Sequence, residues 1–293
     1  EPRQGYRVLA GGADPERGCP VAFVFNEEDY PPEEGDFAEV LLGAFQRAAA
    51  GRGWSLLSTA VGPEGGAGLV ERLRAGRAGA VAVDSSEPEM LEALRKTGLP
   101  VVAVNCWPRT VELDCVMQDG QLGGLQAAEY LLEREHRSIA WFGRGGFVDH
   151  SLDRLGGAVL GLMKSGVSLD SRSQWDVGFS EAETRARELL SGADRPTAVL
   201  ALWQYTAAAL GKVAREMGLV VGRDLEVVGW AREEDFDRTH ATAFAGTETP
   251  PAVVWSVAQM AEAALGRLQL RRERPGLAPL RIKVPTRLRV GAG

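Results

Sequence analysis

Val21-Ala22-Phe23-Val24-Phe25 and, downstream, Phe37-Ala38-Glu39-Val40-Leu41-Leu42-Gly43-Ala44-Phe45-Gln46-Arg47-Ala48-Ala49-Ala50-Gly51 hold the first strand and helix of this chain. The five-residue run is apolar throughout, the bias of a strand buried on both faces. In the longer segment Phe37, Val40, Leu41, Ala44, Phe45 and Ala48 recur at helical intervals. They lay one apolar stripe along a helix that ends near Gly51 or Gly53. A buried strand feeding an amphipathic helix is the repeating unit of a parallel α/β sheet.

Working outward, similar apolar runs occur at Leu56–Thr59, Ala80–Asp84, Val101–Asn105, Ile139–Gly143, Ala198–Trp203 and Leu225–Trp230. Helical patterns separate most of them, at Leu69–Ala75, Glu87–Thr97, Leu122–Glu135, Leu152–Ser165, Glu181–Ser191, Thr206–Met217 and Ala252–Leu270. Strand and helix in alternation predict right-handed βαβ units with helices on both faces of parallel sheets. The alternation pauses at Gly143-Arg144-Gly145-Gly146, near Gly246-Thr247-Glu248 before Pro250 and Pro251, and near Pro275–Pro279 before the strand-like Ile282–Val290. Three pauses predict three crossings between two discontinuous Rossmann-like lobes. One lobe takes residues 19–144 with 248–274, the other 145–247 with 275–293, and a ligand is expected in the cleft at the strand ends.

Composition narrows the function. At 293 residues two lobes are a better expectation than one core, and no apolar run approaches the ~20 residues of a membrane helix, which predicts a soluble chain. A net charge of −7 argues against a broad nucleic-acid-binding face, which needs clustered Lys and Arg to neutralise phosphates. Cys19, Cys106 and Cys115 are odd in number and lack metal-ligand spacing, so buried free thiols in a reducing compartment are expected. Arg267, Arg271, Arg272 and Arg274 near a helix end read as partners of the helix dipole, and Glu27–Asp36 as a solvated acidic loop.

No signature of catalysis is present: no G-x-S-x-G, no phosphate-binding G-x-x-x-x-G-K-[ST], no H-E-x-x-H, and His136, His150 and His240 do not stand at ligand intervals. The reading is of a protein that is not an enzyme and needs neither cofactor nor metal.

Several segments, in order and at fitting distances, resemble the core domain of the lactose-repressor/galactose-repressor (LacI/GalR) family. Asp36-Phe37-Ala38-Glu39-Val40-Leu41-Leu42-Gly43 is similar to the family's first helix opening. Gln118-Asp119-Gly120, Ala127–Leu132 and His136-Arg137-Ser138-Ile139-Ala140 resemble its "D-x-x-x-G…A-x-x-H-L…G-H-R-x-I-A". Arg154-Leu155-Gly156-Gly157 is similar to "R-x-x-G-F", and Asp224-Leu225-Glu226-Val227-Val228-Gly229-Trp230 to "D-[IV]-[SA]-V-V-G-[FY]". Gly5-Tyr6-Arg7 resembles the close of the family's helix-turn-helix head. That makes residues 1–18 the expected remnant of a linker after a head absent from the chain.

The resemblance implies a type I periplasmic-binding-protein-like fold with a three-strand hinge. It implies an effector site formed by Phe37, Asp84, Asp119, Arg154, Phe179, Trp203 and Trp230. Arg154 matches the sugar-clamping arginine, with an interlobe ion pair as its alternative role; Asp119 matches an acidic contact, with helix capping as its alternative. Phe37 and Phe179 match aromatic walls or are core. Two departures stand out: Trp203 replaces the family's asparagine, and Ala231 its aspartate, so two hydroxyl-binding groups are gone. The implied whole is a cytoplasmic, homodimeric repressor core that senses a sugar-related molecule and shifts between conformers to control operator DNA held by the head. A periplasmic or extracellular sugar-binding protein of a transport system is the alternative, since it shares the fold.

Overall fold

The structure is a computed structural model that describes residues 7–9, 19–25, 37–61, 65–144, 149–244 and 248–291, the side chains of 7–9 and 149 excepted. It divides into two units: Glu1–Gln118 with Val257–Val284, and Asp119–Ser256 with Pro285–Gly293. The chain therefore passes between units three times.

Unit 1 holds strands β1 (Arg7–Leu9), β2 (Pro20–Phe25), β3 (Ser55–Ala60), β4 (Ala80–Asp84), β5 (Val101–Val104), β6 (Asp114–Gln118) and β11 (Arg281–Val284), with helices α1 (Phe37–Ala50), α2 (Gly65–Ala75), α3 (Pro88–Lys96) and α8 (Val257–Glu273). The sheet order is β1-β3-β2-β4-β5-β6-β11, parallel except for β1 on β3. Strand alternation sends Ala22, Val24, Val81, Val83 and Ala103 into a core with Leu69, Leu73, Met90, Leu91 and Leu94 of α2 and α3. On the other face Phe23 meets Phe45 of α1 at 4.7 Å between ring centres. The expected stripe of α1 is the buried one at Leu41, Ala44, Phe45 and Ala48, while Phe37 and Val40 at its start are half-buried.

Unit 2 holds β7 (Ile139–Trp141), β8 (Ala198–Leu200), β9 (Glu226–Arg232), β10 (Ala252–Trp255) and β12 (Arg287–Arg289), with α4 (Gly120–Glu133), α5 (Asp149–Lys164), α6 (Ala182–Leu190) and α7 (Gln204–Glu216). The order is β12-β10-β9-β8-β7, parallel except for β12. Ala140, Phe142, Val199, Ala201 and Val227 pack against Leu189, Leu190, Leu210 and Val213 of α6 and α7. Against the opposite face, α4 and α5 pack backbone to backbone at two glycines. A Cβ on Gly124 would collide with the backbone of Arg154, and one on Gly157 with the backbone of Gln121.

The crossings lie at 118/119, 256/257 and 284/285, not at the expected 144/145, 247/248 and 274/275. Asp114–Gln118 is a strand the apolar-run criterion passed over, because Asp114 and Gln118 interrupt its pattern although both are buried. Gly143–Arg144 is a bend and an irregular residue after β7 inside unit 2, and Gly145 and Gly146 fall outside the described residues. Ala252–Trp255, read as the start of a helix, is β10, buried between β9 and β12; only Val257 onward is helical. Ile282–Val290 is two strands, one in each unit. Arg7–Leu9, assigned to a linker remnant, pairs with the free edge of β3, whereas Gly5, Tyr6 and the acidic Glu27–Asp36 lie outside the described residues.

The basic cluster on α8 is structural. Arg267 and Arg271 donate through Nε to the fully buried Asp114 carboxylate at 2.7 and 2.5 Å, and the Leu280 amide adds a third bond at 2.7 Å. Arg272 lies over Trp54. The three cysteines are free and buried. Among the described residues no helix is long and apolar enough to cross a membrane.

Candidate functional site

The parallel strands of unit 2 end in a cluster of aromatic side chains around one arginine. Arg154 sits in the second turn of α5, its stem against Gly120 of α4, where a Cβ would come within 3.4 Å of its Cγ. Its guanidinium carbon is 4.0 Å from the ring centre of Trp230 and 4.6 Å from that of Trp203, so it is held between two indoles. Its NH1 donates to the carbonyl of Leu202 at 2.5 Å, just past the end of β8. The side chain is 5% exposed, and burial pulls its pKa down to about 9, which still leaves it cationic at neutral pH.

Trp203 is the N-cap residue of α7, extended at φ −138° and ψ 148°, and its carbonyl accepts from Thr206 Oγ1 at 3.0 Å. Its ring meets Trp141, the last residue of β7, edge-on at 5.8 Å. Trp141 in turn lies nearly parallel to Trp175 at 6.3 Å. Phe179, in a single 3-10 turn, meets Tyr205 at 5.8 Å, and the Tyr205 hydroxyl donates to Val177 O at 2.7 Å. Trp141 is fully buried, whereas Trp175 is 50% and Phe179 44% exposed.

The residues expected from the sequence fall into separate places. Arg154, Trp203 and Trp230 are brought together, and Arg154 is buried and engaged with protein groups, not lying in open solvent. Asp119 caps α4, its carboxylate accepting from the Leu122 amide at 3.1 Å. Phe179 belongs to the aromatic cluster through Tyr205. In unit 1, Phe37 opens α1 half-buried, and Asp84 ends β4 buried beside Ser85, whose carbonyl accepts from the Cys106 thiol at 3.0 Å. Ala231, at the position of the family's aspartate, is buried among Phe236, Ala252 and Val254, so a carboxylate there would be enclosed by apolar groups. Trp141, Trp175 and Tyr205 were not singled out from the sequence. The available signal was the seven tryptophans, several of them falling just after or at the ends of apolar runs.

Comparison with known proteins agrees with this architecture. The family described as "Periplasmic binding protein-like domain" matches residues 128–292, more than half of the chain. The HTH-type transcriptional repressor PurR of Vibrio atlanticus (strain LGP32) is 27% identical over 146 residues, covering 48% of this chain and 42% of that repressor. The match thus takes in less than half the length of that curated relative. Among solved structures, a regulatory protein of the LacI family from Chloroflexus aggregans superposes with a TM-score of 0.79 at 21% identity, over 93% of this chain and 97% of that one. The transcriptional regulator CelR in complex with cellobiose gives 0.76 at 22% identity, over 94% and 85%. With its two mostly parallel α/β units and this family match, the chain belongs to the periplasmic binding protein-like domain family.

Proposed function

We propose that this chain is the effector-sensing domain of a cytoplasmic LacI/GalR-type transcriptional repressor and that it has no catalytic role. The carrying observation is the tryptophan-lined Arg154 at the strand ends of unit 2, the end of a parallel sheet where α/β proteins hold small ligands. The effector is a small, sugar-related molecule, in keeping with the cellobiose complex of the similar CelR. Its contacts within unit 2 come from Arg154, Phe179, Trp203 and Trp230, with Asp119 as the cap of α4. Binding favours one conformer of a homodimer and so changes how a helix-turn-helix head engages operator DNA. A ligand shifts that equilibrium only by its difference in affinity for the two conformers, so no bond need be made or broken.

The test is a thermal-shift screen of the chain against monosaccharides, disaccharides, sugar acids and glycosides, followed by calorimetry and product analysis of each hit. A saturable ligand recovered unchanged is the expected result. A hit that is chemically converted, or the absence of any stabilising ligand, overturns the reading.

A further inference from the structure

We infer that α5 presents its outward face to α5 of a second copy of this chain, the two helices running antiparallel across a two-fold axis near residue 158. The interface goes beyond the effector reading above and does not depend on it.

The face is apolar from end to end. Leu152, Gly156, Val159, Leu160 and Met163 follow the helical period, so they form one stripe on the solvent side of α5. Leu152, Leu160 and Met163 are 39%, 47% and 69% exposed, whereas Ser151, Ala158 and Leu162 on the inward side are buried. A helix that is apolar on its outer as well as its inner side is ordinarily covered on both. Gly156, at the middle of the stripe, has open space where a Cβ would stand, so nothing within the chain calls for a glycine at this helical position. It leaves a groove in the stripe.

The charges beside the stripe identify the partner. Asp153 and Lys164 stand about three turns apart on the flank against α4. A Cβ on Gly120 of α4 would be 2.9 Å from the Asp153 Cβ, and Lys164 Nζ is 3.1 Å from Glu129 Oε1 of the same helix. A two-fold axis through the midpoint of an antiparallel pair reverses the helix and keeps each flank on its own side. Asp153 of each copy therefore comes level with Lys164 of the other. The same operation sets Leu160 of one copy over the groove at Gly156 of the other and brings Leu152 near Met163. The stripe is thus complementary to itself in shape and in charge, as the interface of a two-fold pair must be. Its three exposed side chains supply about 300 Å² per copy, against ~800 Å² in a standard interface, so the contact is weak and reversible, with a dissociation constant on the order of 10–100 µM.

Sedimentation velocity of the chain between about 5 and 300 µM, a range that brackets such a contact, tests this. Self-association should rise with concentration and weaken tenfold or more in Met163→Glu, with the circular dichroism and unfolding midpoint of the parent because that side chain is mostly exposed. Asp153→Lys and Lys164→Asp, each alone, set like charges opposite one another twice and should associate about tenfold more weakly than the parent. Mixed in equal amounts they place opposite charges together again at both ends, and the mixture should recover the parent's association. A constant that Met163→Glu leaves unchanged overturns the inference. So does a mixture that associates no better than its two components, or a parent that stays unassociated at the highest concentration.

Discussion

Arg154 and Trp230 stack, guanidinium carbon to ring centre 4.0 Å, inside unit 2, with Gly123 of α4 against the far part of the indole, where a Cβ would come within 2.7 Å. The arginine is thus part of the packing that joins α4, α5 and β9, as well as the proposed effector contact.

Arg154→Ala should destabilise unit 2. The variant loses a desolvated cation–π pair, worth ~2 kcal/mol, and a charged hydrogen bond of ~1.5–3 kcal/mol, while relief of the arginine's own desolvation returns part of that. A net loss of about 2 kcal/mol in urea denaturation is expected. Arg154→Lys should recover little of it, since an ammonium has no planar face to lie between Trp203 and Trp230. A variant as stable as the parent would show that the sandwich contributes nothing.

Asp114→Ala in unit 1 should be more severe. Two arginines, Arg267 nearly fully buried, and the Leu280 amide converge on this carboxylate. Removing one partner of a buried ion cluster typically costs ~3–5 kcal/mol because the remaining charge is stranded. Chemical denaturation followed by the fluorescence of Trp54 and Trp107 would register the loss, and a change under ~1 kcal/mol would contradict it.

Gly157→Ala tests the crossing of α4 and α5. Its added methyl would meet the carbonyl of Gln121, a backbone atom that cannot rotate aside. Overpacking of this kind costs ~1–3 kcal/mol or more, so a clear fall in the unfolding midpoint is expected. Gly156→Ala is the control, because a Cβ there meets nothing and alanine is the better helix former. It should be neutral or slightly stabilising.

His240 predicts an acid-sensitive component of stability. Its ring is 1% exposed, lies between Phe236 and Phe244, and has Nε2 3.0 Å from Pro250 O, which fits an Nε2–H donor. Burial, with a smaller contribution from the Arg289 charge, lowers its pKa below the ordinary 6.5, although the Pro250 carbonyl opposes that shift. The unfolded chain therefore binds a proton near pH 6.5 that the folded chain refuses. Stability from this group is complete above that pH and declines as pH falls toward the folded-state value. His136 is shifted in the same direction by burial. Equilibrium unfolding between pH 7.5 and about 5 should show a slope that is reduced, not abolished, in His240→Phe; an unchanged slope would assign the effect elsewhere.

The sequence by itself determined the elements whose physics is local. A strand such as Val21–Phe25 is legible because every residue in it is apolar, and α1 because Leu41, Ala44, Phe45 and Ala48 return at the helical period. The two-unit α/β architecture and the resemblance to LacI/GalR cores follow from the order of such elements and motifs. Tertiary structure alone decided where the units meet in sequence. Asp114–Gln118 is a strand because Arg267 and Arg271 neutralise Asp114 from a helix more than 150 positions away, and no local pattern carries that information. Likewise Ala252–Trp255 is apolar enough for helix or strand, and only its pairing with β9 and β12 selects the strand. At the site, Arg154 and Trp203 were legible as members of a motif. That the arginine is clasped between Trp203 and Trp230, and that Trp141 and Trp175 gather beside it, depended on the ends of β7, β8 and β9 converging, because stacking is a relation of rings in space and leaves no spacing in the chain.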